Sequence, residues 1–224
     1  MLPAATSREE MLDRLADVVE SVAVDHPTRV AIDGPPAAGK TTMADELGAV
    51  LRERGREVIR ATIDDFLVPT AQRYRRGEYS GEGCYLDAHD TDALNRVLLD
   101  PLGPGGGRHI RQTVYDHATD AALSPPGITA RADAVLLFDG VFLLRPELID
   151  RWELRIVVTT AIESLVDRAV GRERRVPSEV QRRWRERYLP AQQLYVSTVS
   201  PLDYADIVVH NDEPLQPVWA VRTR

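Results

Sequence analysis

"VAIDGPPAAGKTTMADEL", residues 30–47, decides the fold. An apolar run ends in a Gly/Pro loop, and the loop opens into a segment with helical spacing. Gly34-Pro35-Pro36-Ala37-Ala38-Gly39-Lys40-Thr41 satisfies the pattern G-x-x-x-x-G-K-[ST]. The flanking context is the required one, a strand before the loop and a helix opening at Lys40. Glycines let backbone N–H groups turn inward around phosphate oxygens. The helix N-terminus adds partial positive charge. A lysine ammonium at this place reaches the β- and γ-phosphates, and the threonine hydroxyl ligates Mg²⁺.

Lys40 is the only lysine in a chain with 28 Lys plus Arg. An ammonium is a compact point charge, whereas a guanidinium is a wide planar fork. A loop curled around a phosphate has room for the first and little for the second. An arginine-biased chain keeps lysine where shape demands it.

The 224 residues suffice for one sizeable core. A 43% hydrophobic and 28% charged composition is that of an ordinary globular protein. No apolar run is long enough to span a membrane, so no membrane partner is expected. "MLPAATSREEMLDRL" lacks a basic segment followed by an apolar one, and no secretory signal is expected. Cys84 is the single cysteine, which excludes an intrachain disulfide and a cysteine-based zinc site. These features predict a cytoplasmic protein. The net charge of −7 argues against nucleic acid as a partner. The expected partner is a small-molecule substrate, and homo-oligomerisation is left open.

Working outward, Ser7 and Glu10 fit a capping box ahead of helical apolar spacing, which predicts a helix over 8–24. Strands are predicted at 29–33, 57–63, 134–140, 153–160 and 204–210. Helices are predicted at 40–55, 90–99, 161–175 and 178–199. Near-continuous apolar strands alternating with helices indicate a parallel sheet covered on both faces. Residues 67–130, with "YSGEGCY", "DPLGPGGGR" and "LSPPG", form an irregular insertion. The whole, 1–224, is expected to be one α/β domain.

In such a sheet, ligands sit beyond the carboxyl ends of the strands. Asp64 and Asp65 follow the second strand in "ATIDDFL". A carboxylate there can orient a hydroxyl and accept its proton as it attacks the γ-phosphate. An Asp–Asp turn or helix cap is the alternative. Asp139 closes the third strand in "VLLFDG", the position of a Mg²⁺-holding acid, with a simple Asp-Gly turn as the alternative. Eight arginines lie between 168 and 187. Arg168, Arg172, Arg174 and Arg175 precede Val176-Pro177 and suit a lid over the transferring phosphoryl group. Arg182, Arg183, Arg185 and Arg187 suit a solvated helical surface.

Taken in order, "IDGPPAAGKTT", "IDDFL", "YLDAHDTDAL", "PLGPGGGRHIRQTVYD", "LLFDGVFLL", "ESLVDRAVGRE" and "YADIVVHND" resemble the uridine kinase family. That family belongs to the uridine kinase–phosphoribulokinase–pantothenate kinase group of P-loop kinases, and the resemblance runs from about 29 to 212. It implies a five-stranded parallel sheet flanked by helices, a lid at about 168–187, and a substrate-covering insertion at 67–130. It implies ATP and Mg²⁺ as cofactors. ATP would be bound by Gly34, Ala37, Ala38, Gly39, Lys40, Thr41 and Thr42, together with Arg168 and Arg172. Thr41 and Asp139 would hold the metal, with Asp139 standing where most members carry glutamate. Asp64 would be the catalytic base, acting with Lys40 and Arg172. Tyr115 would lie near a nucleoside base.

The implied reaction is transfer of the ATP γ-phosphate to uridine or cytidine, giving the 5'-monophosphate. Two departures bear on this acceptor. Cys84 falls where uridine kinases carry the aspartate that holds the ribose, and Asp120 falls where they carry a base-reading histidine. Asp87, His89 and His117 are the substitutes nearby. Another hydroxyl-bearing acceptor, such as pantothenate, nicotinamide riboside or a sugar, is the alternative. A P-loop switch acting on a partner protein is a further one, although no N-K-x-D guanine-reading motif is present. A plain binding module is the last.

Overall fold

The computed structural model describes residues 7–172 and 176–222. Helix α1 (Arg8–Ser21) starts at Ser7, whose Oγ accepts the Glu10 N–H at 3.2 Å. It stops short of residue 24 because Val22 is extended. The strands of the central sheet are β1 (Thr28–Asp33), β2 (Val58–Thr62), β3 (Val135–Gly140), β4 (Leu154–Thr159), β5 (Ile207–His210) and β6 (Val218–Val221). Their order across the sheet is β6-β5-β4-β1-β3-β2. The first five strands are mutually parallel, as expected. The sixth, absent from the sequence reading, pairs antiparallel with β5 and forms the edge. Its four residues carry too short a pattern to separate a strand from a tail.

The two faces are told apart by side-chain alternation. Val30, Ile32, Val135, Leu137, Ile156 and Val158 pack on one side, with α1 and with α2 (Lys40–Glu53). Ala31, Leu136, Phe138 and Val157 pack on the other, against segments 81–102, 142–152 and 191–199. Both faces are covered, so the strands are apolar throughout, as a parallel sheet requires. Each fully buried Leu or Phe in these layers contributes about 1.5–3 kcal/mol.

The connections leaving β1 and β3 depart toward opposite sides of the sheet. β1 leads through α2 to β2, and β3 leads to β4. A crevice forms at the carboxyl ends of adjacent strands whose connections diverge in this way. Residues 34–40 and Asp139 sit at that place.

Two long helical segments pack against the sheet. The predicted helix 90–99 continues to 102, and 177–199 is continuous. Each contains one wide π turn, at Asn95–Leu99 and at Trp184–Tyr188. Pro101 and Pro190 follow each wide turn by two residues. A proline cannot donate to the carbonyl four residues back, and the extra residue per turn absorbs that loss. Within 67–130 the backbone forms short helical turns and two small antiparallel pairs, His109–Ile110 with Ile128–Thr129 and Tyr115–Asp116 with Ala121–Ala122.

Candidate active site

The loop after β1 takes backbone conformations that few residues other than glycine adopt. Gly34 and Gly39 have positive φ, and so does Ala37. A Cβ on Gly34 would strike the Val158 carbonyl, and one on Gly39 would strike the Asn211 side chain. Asn211, which the sequence reading did not single out, is buried and donates from Nδ2 to the Ala38 carbonyl at 2.8 Å. It braces the loop from the end of β5.

Asp33 at the tip of β1 fixes the opposite wall. Its Oδ1 accepts the Leu143 N–H at 3.0 Å and its Oδ2 accepts the Tyr195 hydroxyl at 2.8 Å. The same hydroxyl accepts the Leu144 N–H at 3.0 Å. Burial raises the Asp33 carboxyl pKa, and these donors oppose the rise. The network ties β1 to the turn that follows Asp139.

Lys40 is buried, and its Nζ donates to the Pro35 carbonyl at 2.8 Å. Burial pushes the ammonium pKa down, while the carboxylates of Asp33, Asp139 and Asp64 push it up. Thr41 Oγ1 donates to Asp139 Oδ2 at 2.6 Å. Asp139 Oδ1 accepts from Arg60 Nη2 at 2.8 Å. Asp139 therefore reaches the threonine despite its short side chain, and Arg60 holds it there.

The Asp64–Asp65 pair divides its work. Thr62 and Asp65 form a reciprocal capping box on the helical turn Ile63–Phe66. Asp65 accepts the N–H of the N-cap residue Thr62 at 3.4 Å, which leaves Asp64 to line the cleft. Asp64 is exposed where it lines the cleft. Partial desolvation by the cleft walls raises its carboxyl pKa, and the Lys40 charge opposes the rise. Among the described residues no hydrogen-bond donor pairs with it.

The cleft brings together Ala37, Gly39, Lys40, Thr41, Thr42, Asp64, Asp139 and Arg172. Other expected residues lie apart. Arg168 donates to the carbonyls of Asn211 and Asp212, at 2.8 Å each, and is absent from the lining. Asp87 is absent too, its carboxylate held by Arg76 at 2.6 Å. Tyr115 gives its hydroxyl to Asp120 at 2.6 Å, and its ring meets His117 edge-on at 4.8 Å. Neither ring lines the cleft. Arg174 and Arg175 lie outside the described residues.

The rest of the lining includes Arg73, Tyr74, Cys84, His89, Arg187, Tyr188 and Gln192. Arg187 corrects the expectation of a solvated helical face, because it is only 4% exposed. It lies in the wide turn Trp184–Tyr188, whose buried residues are Trp184 and Arg187. Arg182 keeps the expected surface pairing, with Glu186 four residues on. Burial raises the Cys84 thiol pKa, which keeps it protonated and unreactive.

Among the described residues no cluster of three or more His, Cys, Asp or Glu side chains could hold a metal by itself. A phosphate-loop Mg²⁺ needs no such cage. It is held by one or two protein groups together with phosphate oxygens and water. Thr41 and Asp139, 2.6 Å apart with the carboxylate anchored, fit that arrangement. No helix among the described residues is long and apolar enough to cross a membrane.

The fold and the loop define a P-loop kinase fold. A structure of a possible uridine kinase from Bacillus stearothermophilus superposes with a TM-score of 0.71 at 24% identity, covering 89% of this chain and 97% of that one. D-glycerate 3-kinase from Cryptococcus neoformans var. grubii superposes at 0.63 with 13% identity, covering 95% and 99%. Among curated sequences, pantothenate kinase from Leifsonia xyli subsp. xyli is 30% identical over 122 residues. That match spans 54% of this chain and only 37% of the relative. No family model matches the chain. The possible uridine kinase and the pantothenate kinase bear names of the group that the sequence resembles.

Proposed function

We propose that the protein is an ATP-dependent kinase that phosphorylates a hydroxyl of a small metabolite. One observation carries the reading. A phosphate loop with its lysine, a Thr41–Asp139 pair and an unpaired Asp64 carboxylate open into one cleft, and that cleft continues past the nucleotide end. The amides of 35–41 and Lys40 hold the phosphates, and exposed Arg172 reaches the transferring group from the cleft wall. Thr41 and Asp139 place Mg²⁺, which when bound offsets charge on the phosphates. Asp64 takes the proton from the acceptor hydroxyl. The acceptor oxygen then forms a bond to the γ-phosphorus, the bond to the bridging oxygen breaks, and ADP leaves. The raised pKa of Asp64 suits a base, since it brings proton affinity closer to that needed near neutral pH. Residues 67–130 form the acceptor side of the same catalytic unit.

Uridine and cytidine are the acceptors that the resemblance implies. Cys84 offers no carboxylate for a ribose diol, and Asp120 is engaged by Tyr115 and the Thr70 N–H. The acceptor is therefore framed by its hydroxyl first. The test is a panel of nucleosides, vitamins, hydroxy acids and sugars, with ADP release and phosphorylated product both measured. At least one acceptor should raise turnover well above the water-only rate. If none does, the reading fails, and a nucleotide switch becomes the better account. Asp64→Asn should lower transfer by about 10²-fold or more. A variant with unchanged transfer would exclude Asp64 as the base.

A further inference from the structure

Two guanidinium groups in the acceptor half of the cleft lack what buried cations ordinarily have. Arg73 has a side chain 12% exposed, and its Nε and Nη1 are buried without a hydrogen-bond partner. Its Nη2 donates to Thr70 Oγ1 at 2.9 Å, and the nearest carboxylate, on Asp120, is 4.0 Å away. That carboxylate already accepts from the Tyr115 hydroxyl and the Thr70 N–H. Arg187 donates from Nη1 to the carbonyls of Glu78 and Ser80. Among the described residues it has no carboxylate partner. Both guanidinium carbons stand near one ring, Tyr74, at 5.4 Å and 4.9 Å from its centroid. The pair and the ring all line the cleft.

Enclosing a guanidinium whose donors are unmet or whose carboxylate is distant is unfavourable. A fold tolerates that cost where a ligand relieves it. The relieving ligand must be an anion, and a planar fork favours carboxylate or phosphate. The local field agrees, since the charges of Arg145, Arg73 and Arg187 all disfavour a proton on His89 beside them. Lys40 and Arg172 belong to the nucleotide end and cannot serve this purpose as well.

We propose that the phosphate acceptor is an anionic hydroxy compound, whose carboxylate or phosphate is held by Arg73 and Arg187 while its hydroxyl meets Asp64. The proposal rests on the kinase reading above and narrows its substrate class. It sets the acceptor apart from neutral nucleosides. The uncharged ring of Tyr74 and the neutral imidazole of His89 line the space between the two ends.

The experiment compares matched acceptors. D-Glycerate, glycerol 3-phosphate and glycerol form one set. Pantothenate and its alcohol panthenol form another, and uridine stands as the neutral reference. Within a set, the anionic member should exceed the neutral one in kcat/KM by about 10²-fold or more, because a site of polar groups rejects an analogue that leaves them unpaired. The two glycerol derivatives separate carboxylate from phosphate. Arg73→Gln should reduce the preference to below about tenfold. If that variant does not fold, Arg187→Gln and the wild-type ratio carry the same information. Uridine, glycerol or panthenol used as well as the anionic acceptors would overturn the proposal and leave the kinase reading standing. If no acceptor is turned over, calorimetry decides, on protein whose phosphate loop is filled by a non-hydrolysable ATP analogue with Mg²⁺. Anion binding that Arg73→Gln abolishes supports the anion site and counts against the kinase reading. Absence of anion binding there overturns the proposal.

Discussion

His89 gives the cleft a measurable acid sensitivity. Its ring lies in the cleft wall, edge-on to Phe142 with centroids 6.5 Å apart. Burial, and then the charges of Arg145, Arg73 and Arg187, push its pKa from 6.5 down to about 3. The folded protein therefore binds the His89 proton far more weakly than the unfolded chain. Between the two pKa values the unfolded state holds more protons, so stability falls as pH falls. The slope from this one group is about 1.4 kcal/mol per pH unit. Going from about pH 7 to about pH 5, it removes roughly 2 kcal/mol, a large share of an ordinary domain's stability. His89→Gln keeps a polar side chain and cannot take up the proton. Urea unfolding at both pH values isolates the effect, since every other titrating group is common to the two proteins. The variant should lose about 2 kcal/mol less than the wild type. Equal losses would refute the placement of a neutral imidazole among these arginines. A larger loss in the variant would reverse the sign of the argument.

Two further perturbations address the nucleotide end. Arg60→Met removes the partner of Asp139, whose side chain is 2% exposed. Breaking such a pair costs about 3 kcal/mol, and the Arg60–Asp45 contact, on a 64% exposed carboxylate, adds less than about 1 kcal/mol. The cost should shrink to about 1 kcal/mol when measured in an Asp139→Asn background, and an unchanged cost would deny the coupling. Lys40→Arg keeps charge and changes shape in a loop where Nζ already sits 2.8 Å from the Pro35 carbonyl. ATP use should collapse, as measured by the KM for ATP and by turnover, and near-wild-type values would refute the steric account.

Much of the nucleotide end was legible in the chain itself. Gly34, Gly39, Lys40 and Thr41 fall within eight consecutive residues, and their spacing, between a strand and a helix, specifies the loop. Asp64 and Asp139 were legible because strand ends are predictable from apolar runs, and a parallel sheet puts its ligands there. Choosing between Asp64 and Asp65 was beyond residue type. The resemblance singled out Asp64, and the capping box, in which Asp65 bonds Thr62, gives the structural reason. Asn211 and Arg60 were silent because each acts across the sheet, on Ala38 and on Asp139 respectively. An isolated asparagine or arginine carries no local signal of a partner far away in sequence. β6 was silent for a different reason, being four residues on an edge that the parallel core does not require.

The acceptor end hid for a reason rooted in helix geometry. Arg182, Arg183, Arg185 and Arg187 carry a pattern that, at 3.6 residues per turn, spreads around a polar surface. Pro190 changes the phase. It cannot donate to the carbonyl of Glu186, and the turn before it widens to accommodate the loss. Residues in the wide turn are displaced relative to a regular helix, and this turn carries Trp184, Arg187 and Tyr188 onto the cleft. A proline two residues past an arginine-bearing segment was thus the one available signal. It predicts that Pro190→Ala, which restores the missing N–H, allows a regular helix to compete with the wide turn. Regularising it would rotate Arg187 away from Tyr74 and from the carbonyls of Glu78 and Ser80, exposing a cation that is now 4% exposed. The nucleotide end lies on strand ends that this change does not touch. Acceptor KM should therefore rise by about tenfold, the worth of roughly one charged hydrogen bond, while the KM for ATP stays within about twofold. An acceptor KM that stayed put would show that the wide turn is maintained by packing of Trp184 alone, and that the proline is its consequence rather than its cause.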